Sequence, residues 1–197
     1  MQGNKWELTV NISITKYFIA FTAIIVCRNI IEIFIKPKNS GKSRYGTKDK
    51  ITLLVFLLTY LVSALAAAIY LLTDKTINPI PFLAGMAILS AGYAGRIIAL
   101  RKISSSYSQS MVPGNEDFLV TGGPYSLIRH PLYLCYALEM LGLLLIRFNW
   151  ISLAMLAADL VNTVYRINRE ETLLTEKYGV RYEEYRKTTK RLIPFIF

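Results

Sequence analysis

The segment DFLVTGGPYSLIRHPLY, residues 117–133, contains polar residues and leads directly into an apolar stretch that predicts a helix. It contains the only histidine of the sequence, His130, and two prolines, Pro124 and Pro131. Pro131 suits the first position of a helix, because its missing N–H would have no partner there. A proline also pushes the preceding residue out of helical geometry. The segment therefore predicts a chain break at His130, with the imidazole projecting from the break rather than packing on a helix.

Long apolar blocks flank this segment in a chain of 197 residues that is 53% hydrophobic. A helix of about 20 residues crosses a bilayer core. The predicted spans are 14–35, 51–73 and 82–100 before the segment, and 131–146 and 151–165 after it. We therefore predict an all-α, polytopic membrane protein with about five transmembrane helices. The last two spans are short, which predicts a helical hairpin, and the charged segment from Arg166 predicts a C-terminal helix at the membrane surface.

The charges predict how these helices are oriented. The net charge is +10, and 17 of the 23 lysine and arginine residues lie in three loops, 36–50, 101–130 and 166–197. With five spans these loops share one side, so the positive-inside rule predicts a cytoplasmic C-terminus and an external N-terminus. Attraction to anionic membrane lipids accounts for the excess of basic over acidic residues. We expect no nucleic acid partner, because the aromatic residues lie in the apolar blocks rather than among the basic ones.

Few residues in the predicted spans are polar enough to carry chemistry. Charges inside a membrane are costly, so Arg96, Glu139 and Asp159 are candidates either for function or for holding the bundle together, and Arg96 is expected to pair with Glu139. Cys27 and Cys135 lack the spacing of metal ligands, and we expect no metal site.

Arg166 and Glu170 lie one helical turn apart, where the last predicted span leaves the membrane. A guanidinium is a rigid fork that suits a carboxylate. A glutamate one turn further can accept hydrogen bonds from a ribose or an amine. The alternative is an ordinary solvated run of charges, which the spacing alone does not exclude.

Four motifs together resemble the isoprenylcysteine carboxyl methyltransferase family. They are LVTGGPYSLIRHPLY at 119–133, RINREE at 166–171, YGVRYEEY at 178–185 and IPF at 193–195. The resemblance covers residues 117–195 and implies an integral membrane enzyme that uses S-adenosylmethionine and releases S-adenosylhomocysteine. It also implies two regions, three N-terminal transmembrane helices in 1–100 and a methyltransferase region in 101–197.

The resemblance further implies which positions contact the methyl donor and the acceptor. Arg166 would face the substrate carboxylate, and Arg166 and Glu170 would be the catalytic pair. The implied donor-binding residues are Gln109, Asp117, Phe118, Leu119, Val120, Tyr125, His130, Pro131, Leu132, Tyr133 and Glu170. Gln109 departs from the family spacing by about one residue.

The expected reaction is methylation of the C-terminal carboxylate of a prenylated cysteine, or of a similar lipophilic acceptor. The active site would face the cytoplasm, at the cell membrane of a prokaryote or the endoplasmic reticulum of a eukaryote. Relatives that share the R-H-P-x-Y pattern leave two other enzymatic readings open, methylation of a phospholipid or other lipid amine and NADPH-dependent reduction of a lipid. A non-enzymatic scaffold or carrier with the same fold is a further alternative.

Overall fold

The computed structural model describes residues 47–73, 78–103 and 119–193, together with position 23. Apart from position 23, the predicted first span, 14–35, lies outside the described residues. The described helices are α1 (Thr47–Thr73), α2 (Pro79–Lys102), α3 (Pro131–Ile146), α4 (Trp150–Tyr178) and α5 (Val180–Thr188). A short 3₁₀ turn, Gly123–Ser126, precedes α3. The helical class that the apolar blocks predict is thus confirmed for the described part of the chain.

Local sequence explains where these helices begin and end. Asn78 and Asn149 cap α2 and α4, since their side-chain oxygens accept hydrogen bonds from the backbone N–H groups of Ile80 and Ser152. No glycine or proline interrupts residues 150–178, so the predicted fifth span and the start of the surface segment form one helix. That helix ends at Gly179, whose φ of +52° is a left-handed conformation that glycine adopts without strain.

Among the helices that the structure describes, two of the predicted spans are long and apolar enough to cross a bilayer. They correspond to Ile51–Leu71 in α1 and to Pro79–Lys102, the whole of α2. The apolar helix α3 has only 16 residues, or about 24 Å of rise against a hydrocarbon core of about 30 Å. Length and composition therefore support two membrane-spanning helices, and the count of five stays a prediction.

Glycines bring α2 and α3 into direct backbone contact. A Cβ added at Gly85 would lie 2.6 Å from the backbone nitrogen of Ile146, and one at Gly142 would lie 2.8 Å from that of Leu89. A Cβ at Gly92 would lie 2.9 Å from the carbonyl oxygen of Cys135. Small residues of this kind let membrane helices approach closely enough for extensive van der Waals contact. The α2–α3 pair is therefore a rigid support for the segment that enters α3.

Polar side chains join α1 to α4. The Thr59 hydroxyl donates to the Asp159 carboxylate at 3.1 Å, and the Asn162 amide donates to the Thr52 carbonyl at 3.1 Å. Between the helices lies an apolar core. Its members are Tyr60, Ala64, Ala67, Leu71, Phe82, Leu89, Tyr136, Met140, Leu143 and Ile146. Because hydrogen bonds replace lost hydration in an apolar surrounding, the α1–α4 contacts fix the register of the two helices.

Candidate active site

His130 stands at the break that the sequence predicts. It is the N-cap of α3 without a side-chain capping bond, and Pro131 is the first helical residue. The side chain is buried, with its Nε2 atom 3.4 Å from an oxygen of Glu171 and its Nδ1 atom 3.8 Å from an oxygen of Glu170. The imidazole therefore projects from the break toward two carboxylates on α4.

A tyrosine hydroxyl connects the two charged residues that the sequence singles out. The Tyr133 hydroxyl donates to Glu170 at 3.0 Å and accepts a hydrogen bond from Nε of Arg166, also at 3.0 Å. We call this arrangement of Arg166, Tyr133 and Glu170 the tyrosine bridge. Arg166 is 4% exposed, whereas the Glu170 side chain is 31% exposed. The bridge thus places a buried cation and a more accessible anion on opposite sides of one hydroxyl.

Beside the tyrosine bridge, Glu171 lies at the centre of a second group of charges. One of its carboxylate oxygens accepts a hydrogen bond from Nε of Arg129 at 2.9 Å and lies near His130. The other accepts from Nε and Nη2 of Arg191, at 3.0 and 2.6 Å. We call Arg129, His130, Glu171 and Arg191 the charged cluster. Burial raises the pKa of Glu171, but hydrogen bonds from His130, Arg191 and Arg129 outweigh that effect and hold this pKa well below its usual range.

The charged cluster fastens the C-terminal segment onto the loop before α3. The backbone N–H of Arg129 donates to the carbonyl of Lys190 at 2.8 Å, and that of His130 donates to Arg191 at 3.0 Å. This pairing forms a parallel bridge between Ile128 and Lys190. The Tyr185 hydroxyl on α5 donates to the carbonyl of Tyr125 at 2.5 Å. The segment that follows α5 is therefore part of the wall that holds His130.

The structure brings together most of the candidate residues that it describes. Arg166, Glu170, His130 and Tyr133 share one region, with Pro131 buried and Leu132 half-buried at the start of α3. Tyr125 is buried in the 3₁₀ turn, and Leu119 and Val120 are half-buried ahead of it. Gln109, Asp117 and Phe118 lie outside the described residues.

Sequence reasoning missed four residues of this region. Glu171 lies in the RINREE motif but is not among the predicted site residues, and neither are Arg129, Arg191 and Thr52. The oxygen of the Thr52 hydroxyl accepts a hydrogen bond from Nη1 of Arg166. The paired glutamates and the Arg–His–Pro run were the available signals for Glu171 and Arg129. Nothing in the sequence pointed to Thr52, because 114 residues separate it from Arg166.

The charged residues of the apolar helices α2 and α3 lie at the interface of those helices. Glu139 is fully buried, and its Cγ would be 3.0 Å from a Cβ added at Gly92. The Arg96 guanidinium, one turn after Gly92, lies 5.9 Å from the ring centroid of Tyr136. Both charges thus line the same helix contact, and their direct pairing stays a prediction.

Comparisons with known proteins show which family and which fold the chain resembles. The sequence profile described as the isoprenylcysteine carboxyl methyltransferase family matches residues 84–176, which include His130, the tyrosine bridge and Glu171. The matched residues make up slightly less than half of the chain, and they are similar in sequence to that family. The match includes two of the four motifs, at 119–133 and 166–171, and confirms the family resemblance for them.

Two curated relatives and one solved structure resemble this chain. Protein-S-isoprenylcysteine O-methyltransferase of Schizosaccharomyces pombe is 30% identical over 114 residues, covering 56% of this chain and 48% of that protein. The cobalt-zinc-cadmium resistance protein CzcN of Cupriavidus metallidurans is 30% identical over 118 residues, covering 60% of this chain and 51% of that protein. The chain thus spans about half the length of the curated relatives that it matches.

The solved structure is that of a eukaryotic intramembrane Ras methyltransferase, an isoprenylcysteine carboxyl methyltransferase. It matches with a TM-score of 0.64 at 21% identity, over 96% of this chain and 70% of that one. At this level of identity the match establishes that the two chains share a fold.

Within the described ranges, no three His, Cys, Asp or Glu side chains come close enough together to hold a metal ion.

Proposed function

We propose that the chain is a membrane methyltransferase that transfers a methyl group from S-adenosylmethionine to a carboxylate on a lipophilic acceptor of the prenylcysteine class. The observation that carries this proposal is the tyrosine bridge, in which one hydroxyl separates Arg166 from Glu170 by two hydrogen bonds of 3.0 Å each. The reaction joins a cationic donor to an anionic acceptor, and the bridge offers one residue of the opposite charge to each of them.

The chemistry of Glu170 fits the donor. S-adenosylmethionine supplies an activated methyl group on a sulfonium, and it also carries an amine and ribose hydroxyls. Such a molecule needs acceptors of hydrogen bonds and negative charge. Glu170 provides both, and its side chain is 31% exposed, so that it can meet a ligand. We assign the donor to Glu170, His130, Tyr133 and the stretch from 117 to 125, with Gln109 as a further contact.

The chemistry of Arg166 fits the acceptor. A C-terminal carboxylate has a reference pKa of about 3.3–3.7 and is ionised at neutral pH, so that the site needs no general base. Two of the partners of the Arg166 guanidinium, the hydroxyls of Tyr133 and Thr52, are neutral. These two partners place no negative charge of their own beside the guanidinium. Because Arg166 is buried, its attraction for that carboxylate is screened less than at an exposed surface.

The position of this region along the helices supports a site at the membrane surface. Thr52 lies next to the start of the apolar run Ile51–Leu71, and it contacts Arg166 near the end of the apolar part of α4. A lipophilic tail can therefore remain among the helices while the donor arrives from water. We place this surface on the cytoplasmic side, at the cell membrane of a prokaryote or the endoplasmic reticulum of a eukaryote. Residues 1–100 then supply membrane helices, and 101–197 the methyltransferase region.

The charge of Arg166 favours a carboxylate over the alternative acceptors. A lipid amine is cationic when protonated and gains nothing from a buried guanidinium. A lipid reductase would use NADPH instead of the methyl donor. These alternatives predict different substrates for the same protein, and they are therefore separated by one set of assays.

The test uses the purified full chain in detergent with a donor that carries a radiolabelled methyl group. We expect label in farnesylcysteine and none in a lipid amine, together with binding of S-adenosylmethionine but not of NADPH. Label in the amine alone, or binding of NADPH alone, would contradict the proposal.

Two substitutions test the assignment of roles. Arg166→Lys keeps the charge but loses the planar fork, and it should raise the KM of the acceptor while leaving donor binding intact. Glu170→Gln should weaken binding of the donor more than binding of the acceptor. Arg181→Ala, which removes an exposed arginine on α5, serves as the control and should behave as the wild type. Unchanged acceptor and donor constants in both site variants would refute the assignment.

A further inference from the structure

Helix α1 touches the site although it lies outside the family match, which begins at residue 84. Thr52 of α1 is 7% exposed, and its hydroxyl oxygen accepts a hydrogen bond from Nη1 of Arg166. The backbone of Thr52 is itself held, since its carbonyl accepts a hydrogen bond from Asn162 at 3.1 Å. Asn162 precedes Arg166 by one helical turn on α4. The same short segment of α1 is therefore fixed to α4 at two successive turns.

One turn further along α1, an aromatic ring faces the same guanidinium. The ring centroid of Phe56 lies 5.6 Å from the guanidinium carbon of Arg166, and the ring of Tyr133 lies 6.0 Å from it. The two rings are stacked on each other at 6.0 Å. The Tyr136 hydroxyl also donates to the carbonyl of Phe56. A cation near two aromatic faces is attracted to both ring quadrupoles.

We propose that Thr52 and Phe56 are positioning residues for Arg166, and that α1 thereby forms the acceptor side of the site. The proposal rests on the proposed function, in which Arg166 meets the acceptor carboxylate. A free arginine side chain samples many rotamers, and ordering it opposes binding. Thr52 and Phe56 order it before the acceptor arrives, which favours affinity. Neither the Thr52 hydroxyl nor the Phe56 ring adds a negative charge beside the guanidinium.

The proposal is tested by Thr52→Val, which keeps the side-chain shape and removes the oxygen. We expect the KM of the farnesylcysteine acceptor to rise about 10-fold, as for the loss of a hydrogen bond to a charged group, with the KM of the donor unchanged. Thr52→Ser keeps a hydroxyl and should stay within about 3-fold of the wild type. Thr73→Val makes the same change at an exposed position of α1, about 32 Å along the helix, and should match the wild type.

A binding measurement separates this role from general loss of structure. We expect the wild type to bind farnesylcysteine more tightly than its methyl ester, which lacks the negative charge, and Thr52→Val to lose most of that preference. Phe56→Leu should reduce the preference in the same direction, whereas Phe56→Tyr, which keeps a ring, should retain it.

The outcomes distinguish the two proposals from each other. Absence of turnover and of any carboxylate preference in the wild type would refute the proposed function and this inference with it. A wild type that turns over, beside Thr52→Val and Phe56→Leu variants with unchanged acceptor constants and unchanged preference, would refute the inference alone. Equal losses of donor and acceptor affinity in both variants would also refute it, since they would indicate a structural role only.

Discussion

Replacing Glu171 by glutamine should loosen the C-terminal segment and lower the stability of the whole helical assembly. Glutamine has nearly the shape of glutamate but no charge, so that the two arginines of the charged cluster lose their common counter-ion. The carboxylate of Glu171 is 5% exposed, and the Arg129 side chain is 9% exposed. The expected loss is therefore that of a buried ion pair rather than of a surface one.

The magnitude follows from the exposure of the partners. Removing one member of a buried pair costs about 3–5 kcal/mol. Arg191 is 28% exposed and is partly hydrated after the substitution, and the amide oxygen of glutamine can still accept one hydrogen bond. Both points favour the lower end, about 3 kcal/mol. At roughly 2–4 °C per kcal/mol for a chain of this size, Tm should fall by about 6–12 °C.

The buried thiol of Cys135 provides the assay. In a Cys27→Ser background it is the only cysteine, and a thiol-reactive dye added during heating reports its exposure. Glu176→Gln is the matched control, because it makes the same change at an exposed position of the same helix. The control should stay within about 0.5 kcal/mol of the wild type.

The stabilisation by Glu171 should also depend on pH, in a direction that follows from its lowered pKa. The folded-state pKa of Glu171 lies below its unfolded value of about 4.3. Its stabilisation is therefore complete above that value and is lost as pH falls toward the folded pKa. The difference in Tm between wild type and Glu171→Gln should be constant from neutral pH down to about pH 5 and should shrink below it. Equal Tm values for Glu171→Gln and Glu176→Gln at neutral pH would refute the reasoning.

Three further substitutions test other parts of the structure. Tyr133→Phe removes the hydroxyl of the tyrosine bridge and should lower kcat/KM for methyl transfer about 10- to 100-fold, and activity within 2-fold of the wild type would contradict that role. Gly142→Ala places a methyl group 2.8 Å from the backbone nitrogen of Leu89 and should lower stability by about 1–3 kcal/mol in the thiol assay. Asp159→Asn keeps an acceptor for Thr59 while removing a buried charge, so that Tm should be equal or higher, whereas a 10-fold loss of activity would indicate a functional aspartate.

Local chemistry accounts for the parts of the fold that sequence could predict. The apolar run of α1, the break at His130 and the helix start at Pro131 each depend on neighbouring residues, and the structure confirms them. The structure also confirms that the segment from Arg166 is helical, and its first part continues α4. The family motifs also selected Arg166 and Glu170 before any geometry was available.

The sequence does not predict which partner each of the two adjacent glutamates binds. Glu170 and Glu171 are adjacent, and on a helix they point about 100° apart. Glu170 meets the hydroxyl of Tyr133, whereas Glu171 meets Arg129 and Arg191. Which glutamate meets which partner depends on the rotation of α4 against the loop before α3. The packing of distant segments sets that rotation, so it cannot be predicted from the sequence of α4 alone.

The sequence by itself determined that the chain builds apolar helices, breaks before Pro131 and places Arg166 and Glu170 on one helical face. Those features follow from periodicity, hydropathy and backbone sterics, which act over a few residues. Only the tertiary structure decided that Thr52 and Phe56 contact Arg166 and that Arg191 binds Glu171. These contacts join residues far apart in the chain, and they form only when whole helices pack, because burial of the apolar faces fixes which polar groups must satisfy one another.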